Sequence, residues 1–500
     1  MQMGELAKSL PNAVFYGDSN VEVRGIAYDS RFVEPGDLFV CVKGFQTDGH
    51  LFAHDAVGQG AIGLVVETGY ALGKELNVPV IQTDDTRGAL ALLSAAFYNY
   101  PSRRLNLIGV TGTNGKTTTT YLIKSILDTA GHQVGLLGGI KNQIGEQVLE
   151  AKRTTPESLD LQKLFSDMVQ AGCDYAVMEV SSHAIALKRV HESKFAFAVF
   201  TNLSQDHLDF HGNLENYFRT KFGFFERLAD INEVGAGTAI VNLDDDYGKK
   251  IARQTKKLAI DTATFGTDPE AGYRAQDIKL TPQAVNYRLK CPQGDFPVRL
   301  PLTGYFNVYN SLAALATAVE AGVPIQTALQ GLAKARAVPG RLEAVDLGQD
   351  FAVLVDYAHT PDGLANVLET VEQLTDKRSI LVFGCGGDRD KGKRPLMGEV
   401  AGRLADVVIV TSDNPRSEDP RAICLAIAAG VEQSINQKPF EVIVDRKEAI
   451  NRAIKLAASG DIVVIAGKGH ETEQIFKDQV IHFDDREVAA DALREHLNQL

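Results

Sequence analysis

Five hundred residues exceed what one hydrophobic core usually supports, so the chain is expected to fold as two to four domains. Hydrophobic content of 44% with 23% charged residues is that of an ordinary globular protein, and a net charge of −13 argues against a nucleic-acid partner held by phosphate neutralisation. Five scattered cysteines with no CxxC pair argue against a disulfide framework or zinc site, and no 18-residue apolar run or leader-like segment stands out, so a cytoplasmic protein with no membrane partner is expected.

Three blocks follow in chain order. Residues 1–100 carry short apolar strands at 38–42 and 62–66 and end in a helical pattern over Arg87–Phe97. Tyr100-Pro-Ser-Arg-Arg104 breaks that pattern and reads as a linker. Residues 101–336 open with a strand over Leu105–Val110, which runs through a glycine-rich loop into a helix with Leu122, Ile123, Ile126 and Leu127 on one face. A further buried-looking strand spans Tyr175–Val180. The turn Ala337-Val-Pro-Gly340 begins residues 337–500, where apolar strands alternate with helical stretches. Strands are expected over Phe351–Val355, Ser379–Phe383, Asp406–Val410 and Asp461–Ala466. They are followed at once by DYAHTPD, GCGGDRDKGKRP, SDNPRSEDP and GKGHE. Ligands of open parallel sheets bind beyond the carboxyl ends of the strands, so four such loops together signal a site.

The stretch Gly109-Val-Thr-Gly-Thr-Asn-Gly-Lys-Thr-Thr118 lies between a strand and a helix, the setting of a phosphate-binding loop. Backbone N–H groups of Gly112, Thr113, Asn114, Gly115 and Thr118 can curl around phosphate oxygens. Lys116 supplies a point charge and Thr117 a hydroxyl for Mg²⁺. Val110 occupies the first glycine position of the strict G-x4-G-K spacing, and Gly109 and Gly112 are expected to supply the flexibility instead. An ATP-class nucleotide is the expected ligand. Glu179, near the end of a buried strand, is well placed as a metal ligand, because an unpaired buried glutamate is costly. Taken alone, Lys221 reads as a solvated helix lysine, and His183, His207 and His211 as structural histidines.

The loop, Glu179 with Ser181-Ser-His183, the segment Thr201–His211 and Tyr217-Phe-Arg-Thr-Lys221 occur in an order that resembles the Mur ligases of peptidoglycan synthesis, a family that includes folylpolyglutamate synthases. The resemblance covers essentially the whole chain. It implies an α/β fold of three domains: an N-terminal UDP-binding domain, a central P-loop ATPase domain with a mainly parallel sheet, and a C-terminal Rossmann-like domain. It implies Lys116, Glu179, His207 and Lys221 as catalytic residues. Thr117, Glu179, His207 and Lys221 would hold Mg²⁺, two ions being expected, with Lys221 carbamylated. Asn307 and Asn310 in Gly304-Tyr-Phe-Asn-Val-Tyr-Asn310 would contact adenine, and Arg341, Asp356 and His359 would close over the nucleotide. For Asp356 the competing reading is a domain-interface salt bridge.

In the first block, Tyr28-Asp-Ser-Arg31 and Lys43-Gly-Phe-Gln-Thr47 are similar to the uridine-diphosphate region of the family member that adds the third peptide residue. Tyr28, Ser30, Phe45, Gln46 and Thr47 would touch the nucleotide, and Thr154, Thr155, Ser181 and Arg189 the sugar-peptide. Leu187 stands where some members carry Gln and cannot make that hydrogen bond. The implied reaction is ATP-dependent ligation through an acyl phosphate, on small-molecule substrates, by a monomer.

Two amino acids compete as third substrate. L-lysine ends in an ammonium, whereas meso-diaminopimelate ends in an ammonium and a carboxylate. Asp413 and Arg416 offer one charge for each pole, held by the Asn414-Pro415 turn, and Arg suits bidentate carboxylate binding. Asn414 can serve either pole, while Arg389, Gly467 and Glu471 lie on neighbouring loops. Diaminopimelate is expected. Arg389 has the competing reading of an ion pair with Asp388 or Asp390, and Ser417, Glu418 and Asp419 read as helix-entry residues. A P-loop GTPase lacks its guanine reader here, and a non-catalytic binding protein would not need Lys116, Thr117, Glu179, His207 and Lys221 together.

Overall fold

The computed structural model describes residues 1–44, 47–70, 76–151, 153–229, 237–281, 284–336, 338–434 and 439–498. Phe45 and Gln46 lie outside them. The chain forms two compact units. The first comprises Met1–Thr111, His132–Ala198 and Gly223–Gly237, and the second Gly112–Gly131, Val199–Phe222 and Thr238–Leu500. Both are α/β.

In the first unit, one sheet runs in the order Val14–Tyr16, Val80–Thr83, Gly63–Glu67, Asp37–Val40 and Gly25–Ala27, with all but the first strand parallel. A second run of strands has Tyr175–Glu179 parallel to Asn106–Thr111 on one side and to Val134–Leu137 on the other. The expected linker at 100–104 is instead an ordered 3-10 turn, Pro101–Arg104, with Pro101 and Ser102 buried. Proline at its first position presets φ, and the Arg103 guanidinium lies 4.4 Å from the Tyr100 ring centre.

In the second unit, residues from Glu343 onward build a six-stranded sheet. Its spatial order is Glu343–Ala344, Ala352–Asp356, Ile462–Ala466, Ser379–Phe383, Val407–Val410 and Phe440–Val442, parallel except for the first. The four strands expected from the apolar runs all form, with starts displaced by at most one residue. Their runs are continuous because both faces are covered. Val353, Val355, Ile380, Val382, Val463 and Ile465 pack with helices Arg446–Leu456 and Asp485–Leu497. The alternate residues Leu354, Leu381, Phe383, Val464 and Ala466 pack with Pro361–Leu374, Lys393–Leu404 and Pro420–Glu432. Each Val, Leu or Ile so buried contributes about 1.5–3 kcal/mol. Parallel strands place the loops after Asp356, Phe383, Val410 and Ala466 along one sheet edge.

Candidate active site

The glycine-rich loop ends where helix Lys116–Thr129 begins, with Leu122, Ile123, Ile126 and Leu127 buried as expected. Gly112 and Gly115 have φ of +149° and +85°. A Cβ on Gly112 would lie 1.9 Å from Thr201 Oγ1, and one on Gly115 2.4 Å from Asn310 Oδ1, so both positions require glycine for conformation and for space. Gly109 corrects the expectation. It lies within Asn106–Thr111, where a Cβ would meet the Phe224 and Phe195 rings at 2.5 and 2.7 Å; it serves strand packing, not loop flexibility.

Two lysines converge on this loop. Lys116 Nζ donates to the carbonyls of Gly112 (2.9 Å) and Thr113 (2.7 Å), and Lys221 Nζ donates to the same Gly112 carbonyl at 3.0 Å. Lys221 is 1% exposed, on helix Leu214–Glu226, and its ammonium lies over the Tyr217 ring. Burial, and then the neighbouring Lys116, drive its pKa well below that of an ordinary lysine, while Asp206 opposes the shift. The solvated-lysine reading is therefore excluded. His211 is buried with its ring 5.0 Å from that of Tyr217, a packing role.

Asp206 was missed by sequence reasoning. It is buried, and its carboxylate lies 3.3 Å from His207 Nε2. Burial raises its pKa, but His207, His359, Lys393 and Lys116 outweigh that and hold it at about 2. His359 Nδ1 donates to the Tyr357 carbonyl at 2.8 Å. Burial first, then Lys393 and Arg341, lower its pKa to about 4 against the pull of Asp206. At neutral pH the ring is therefore uncharged, so the Nδ1 proton points to Tyr357 and Nε2 keeps its lone pair.

A cavity of about 340 Å³ adjoins the loop and is lined by Asn114, Gly115, Thr118, Asn310, Arg341 and Asp356, with Tyr305, Phe306 and Tyr309 on an apolar side. Arg341 Nη2 donates to Thr117 Oγ1 at 3.2 Å, its guanidinium lies 4.8 Å from the Tyr357 ring centre, and its buried Nε has no hydrogen-bond partner. An unsatisfied guanidinium nitrogen on a cavity beside a phosphate loop fits an anionic ligand. Among the described residues Asp356 makes no salt bridge; its oxygens accept the backbone N–H groups of Leu342 and Ala358, both at 2.8 Å. Burial raises its pKa against these bonds and Arg341. Asn307 lies one turn before Asn310. Its amide donates to the Thr303 carbonyl and accepts from Asn310 Nδ2 at 2.9 Å, so it orients Asn310.

In the first unit, Glu179 is 2% exposed at the end of its strand and accepts the Gly139 N–H at 3.0 Å. Thr155 Oγ1 bridges the Glu179 carbonyl and Ser181 Oγ, at 2.9 and 3.2 Å, and Ser181 caps helix Ser182–Ala186. Arg189 Nη1 donates to the Thr155 carbonyl, and its Nε lies 3.2 Å from Glu157. Glu157, also missed, is buried and further faces Arg87 and Arg153 at 4.0 and 3.4 Å, so three guanidiniums surround one carboxylate. Thr154 is half-buried beside them. Tyr28 donates its hydroxyl to Asp160, Ser30 opens the 3-10 turn Ser30–Phe32, and Thr47 is exposed with its carbonyl accepting Gly44 N–H.

The loops of the six-stranded sheet bring Arg389, Asp413, Asn414, Pro415, Arg416, Gly467 and Glu471 together. Gly387 N–H donates to the Asn414 carbonyl, and Arg416 Nη1 donates to the Gly387 carbonyl at 2.8 Å. Arg416 has φ +53°. Burial, then Arg389, lower its pKa, while Asp413 and Glu471 raise it. Arg389 is exposed and donates to the Asp388 carbonyl, not to a carboxylate. Gly467 has φ +115°, and a Cβ there would lie 2.7 Å from Asp413 Oδ2. Asn414 corrects a second expectation, that it could serve either pole. Its Oδ1 accepts from Lys468 Nζ (3.2 Å) and Ile475 N–H (3.0 Å), and its Nδ2 donates to Glu471 Oε2 at 2.7 Å. The amide is locked in one orientation.

Of the three residues read as helix entry, only Asp419 is one, capping Pro420–Glu432 through Arg421 N–H. Ser417 donates to Asp388 at 2.6 Å, and Glu418 accepts two bonds from Arg394 and one from Asp388 N–H. The Arg394 bonds first, then Asp388 N–H and Lys391, hold the Glu418 carboxyl at about 2 against the opposing effect of burial. They tie the Arg389 loop to the Arg416 loop. Among the described residues no helix is long and apolar enough to cross a membrane.

Comparison with known proteins matches residues 22–98 to the Mur ligase family catalytic domain, 110–318 to the Mur ligase middle domain and 340–469 to the Mur ligase, glutamate ligase domain. A UDP-N-acetylmuramoyl-L-alanyl-D-glutamate--2,6-diaminopimelate ligase of Syntrophomonas wolfei is 47% identical over 494 residues, covering 99% of both chains. The protein of the same name from Geobacillus thermodenitrificans is 46% identical over 99% of this chain and 100% of its own. A solved structure of a ligase of that name superposes with a TM-score of 0.69 at 32% identity, over 99% of both chains. At the level of the fold alone, a MurF ligase from Thermotoga maritima in complex with ADP has a TM-score of 0.63 at 18% identity, covering 96% of this chain and 99% of its own.

Proposed function

Because the chain belongs to the Mur ligase family, we propose that it joins meso-2,6-diaminopimelate to the D-glutamyl γ-carboxylate of UDP-N-acetylmuramoyl-L-alanyl-D-glutamate, with ATP converted to ADP and phosphate. In this reading residues 1–100 bind the UDP-sugar, 101–336 the ATP and 337–500 the amino acid. The names of its relatives support the substrates. The observation that carries diaminopimelate is the like-charge pair Arg389 and Arg416, set with Asp413 and Glu471 on adjoining loops. A carboxylate arriving beside two guanidiniums relieves their repulsion, whereas the ammonium of L-lysine does not.

The chemistry follows from what a carboxylate lacks. It is a poor electrophile until an oxygen bonds to the γ-phosphorus of ATP and ADP departs. The amine nitrogen then bonds to the carbonyl carbon of the acyl phosphate, phosphate leaves, and the nitrogen loses a proton. Lys116, the loop N–H groups and Arg341 spread the charge of the transferring group. His359, uncharged, would close over the nucleotide. Mg²⁺, when bound, neutralises phosphate oxygens. Thr117, His207 and a carbamate on Lys221 would hold it, and Glu179, expected as a further ligand, belongs to the first unit. Among the described residues no three His, Cys, Asp or Glu side chains cluster as a metal site, so the remaining ligands of the ion would be substrate phosphate oxygens. Burial and Lys116 both disfavour the Lys221 ammonium; addition of its free amine to CO₂, with loss of one proton to solvent, would turn that cation into an anion beside Lys116.

Arg416→Ala tests the amino-acid assignment. It is expected to weaken diaminopimelate binding by about 1.5–3 kcal/mol, through loss of a charge-assisted partner, with the KM for ATP unchanged. An unaltered KM for diaminopimelate removes Arg416 from the site.

A further inference from the structure

Lys468 has been given no role in the reaction, yet its ammonium is fully buried against Asn414 and Glu471 of the amino-acid loops. It is 0% exposed, and Nζ donates to Asn414 Oδ1 (3.2 Å), Glu471 Oε2 (3.2 Å) and the Glu473 carbonyl (2.5 Å). All three N–H donors of the ammonium are thus used. We propose that Lys468 is a positioning residue, which holds the Asn414 amide and the Glu471 carboxylate in the one arrangement that receives the zwitterionic end of the amino acid. The proposal rests on the ligase reading above.

Two constraints meet at this lysine. Turning the Asn414 amide over would set its NH₂ against Lys468 Nζ and the Ile475 N–H, donor against donor, so a buried cation here fixes which face Asn414 presents. Glu471 receives Lys468 and Asn414 on Oε2 and the Tyr357 hydroxyl on Oε1 at 3.1 Å. Its side chain is still 31% exposed, whereas that of Lys468 is 0%. An arriving ammonium therefore meets Glu471 directly and Lys468 only through it. A buried ammonium is tolerated only when paired and hydrogen-bonded, so the three acceptors are as dependent on the lysine as it is on them.

Lys468→Met keeps the length of the side chain and removes the charge. The full-length variant is expected to show a KM for diaminopimelate raised by about tenfold or more, with the KM values for ATP and the UDP-sugar dipeptide within about twofold of wild type. A merely structural role would raise all three together. In the Glu471→Gln background, adding Lys468→Met should raise the diaminopimelate KM by a smaller factor than it does in the wild type, because the ion pair is already gone and only the bond to Asn414 is left to lose. That double variant also contains no unpaired buried charge, so it remains measurable if Lys468→Met alone does not fold. A diaminopimelate KM unchanged in Lys468→Met, a parallel rise in all three KM values, or fully additive losses in the double variant would overturn the proposal. Failure of the wild-type protein to use diaminopimelate would instead overturn the ligase assignment, without reference to any variant.

Discussion

Asp485→Ala is expected to destabilise the protein by about 3–5 kcal/mol, the largest stability loss of any single side chain considered. Asp485 and Arg446 are 0% and 1% exposed, and the guanidinium meets the carboxylate through two bonds of 2.7 Å. Arg446 also donates to the carbonyls of Ser412 (3.3 Å) and Ala466 (3.0 Å), the residues immediately before Asp413 and Gly467. Removing the carboxylate leaves a guanidinium buried with two neutral acceptors. Removing both charges, in Arg446→Met/Asp485→Leu, should cost less than Asp485→Ala alone, because burying the pair carries its own desolvation penalty. Urea unfolding followed by circular dichroism decides between these outcomes. A loss below about 1 kcal/mol for Asp485→Ala would mean that the pair does not brace the loops.

The second large effect falls on activity. Lys221→Ala is expected to lower kcat by on the order of 10²–10³-fold, the scale seen when a group that stabilises developing charge is lost. Short carboxylates such as acetate or formate should restore part of the rate by taking the place of the carbamate. The thermal midpoint should change little by comparison, since the Gly112 carbonyl to which Lys221 Nζ donates also accepts from Lys116. A variant that stays inactive in the presence of carboxylates would leave the carbamate without support, and one with wild-type activity would remove Lys221 from the mechanism.

The sheet of the last block could be read from sequence because its strands are buried on both faces. Runs such as Ile462–Ala466 are apolar at every position, and the loops after them inherit a common edge from parallel pairing. The phosphate loop was legible for a similar reason, since its glycines, lysine and helix are local in sequence. What sequence could not reveal depends on partners far along the chain. Asn414 seemed free to serve either pole until Lys468 and Ile475, more than fifty residues on, fixed its amide. Glu418 looked like a helix-entry residue because Arg394, its partner, lies on another helix. Gly109 looked like a loop glycine because the rings of Phe195 and Phe224 that require it are invisible to local pattern. Lys468 alone left a trace, a lysine between two glycines directly after a buried strand. The apolar run that precedes it places it at the site edge, but not its burial.

The central claim is tested most directly by incubating the purified protein with ATP, the UDP-N-acetylmuramoyl dipeptide and either meso-diaminopimelate or L-lysine, while following ADP release and the mass of the nucleotide-sugar product. ADP release should require the dipeptide and diaminopimelate together, and the product should gain the mass of one diaminopimelate less one water. ADP release with L-lysine but not with diaminopimelate would contradict the account.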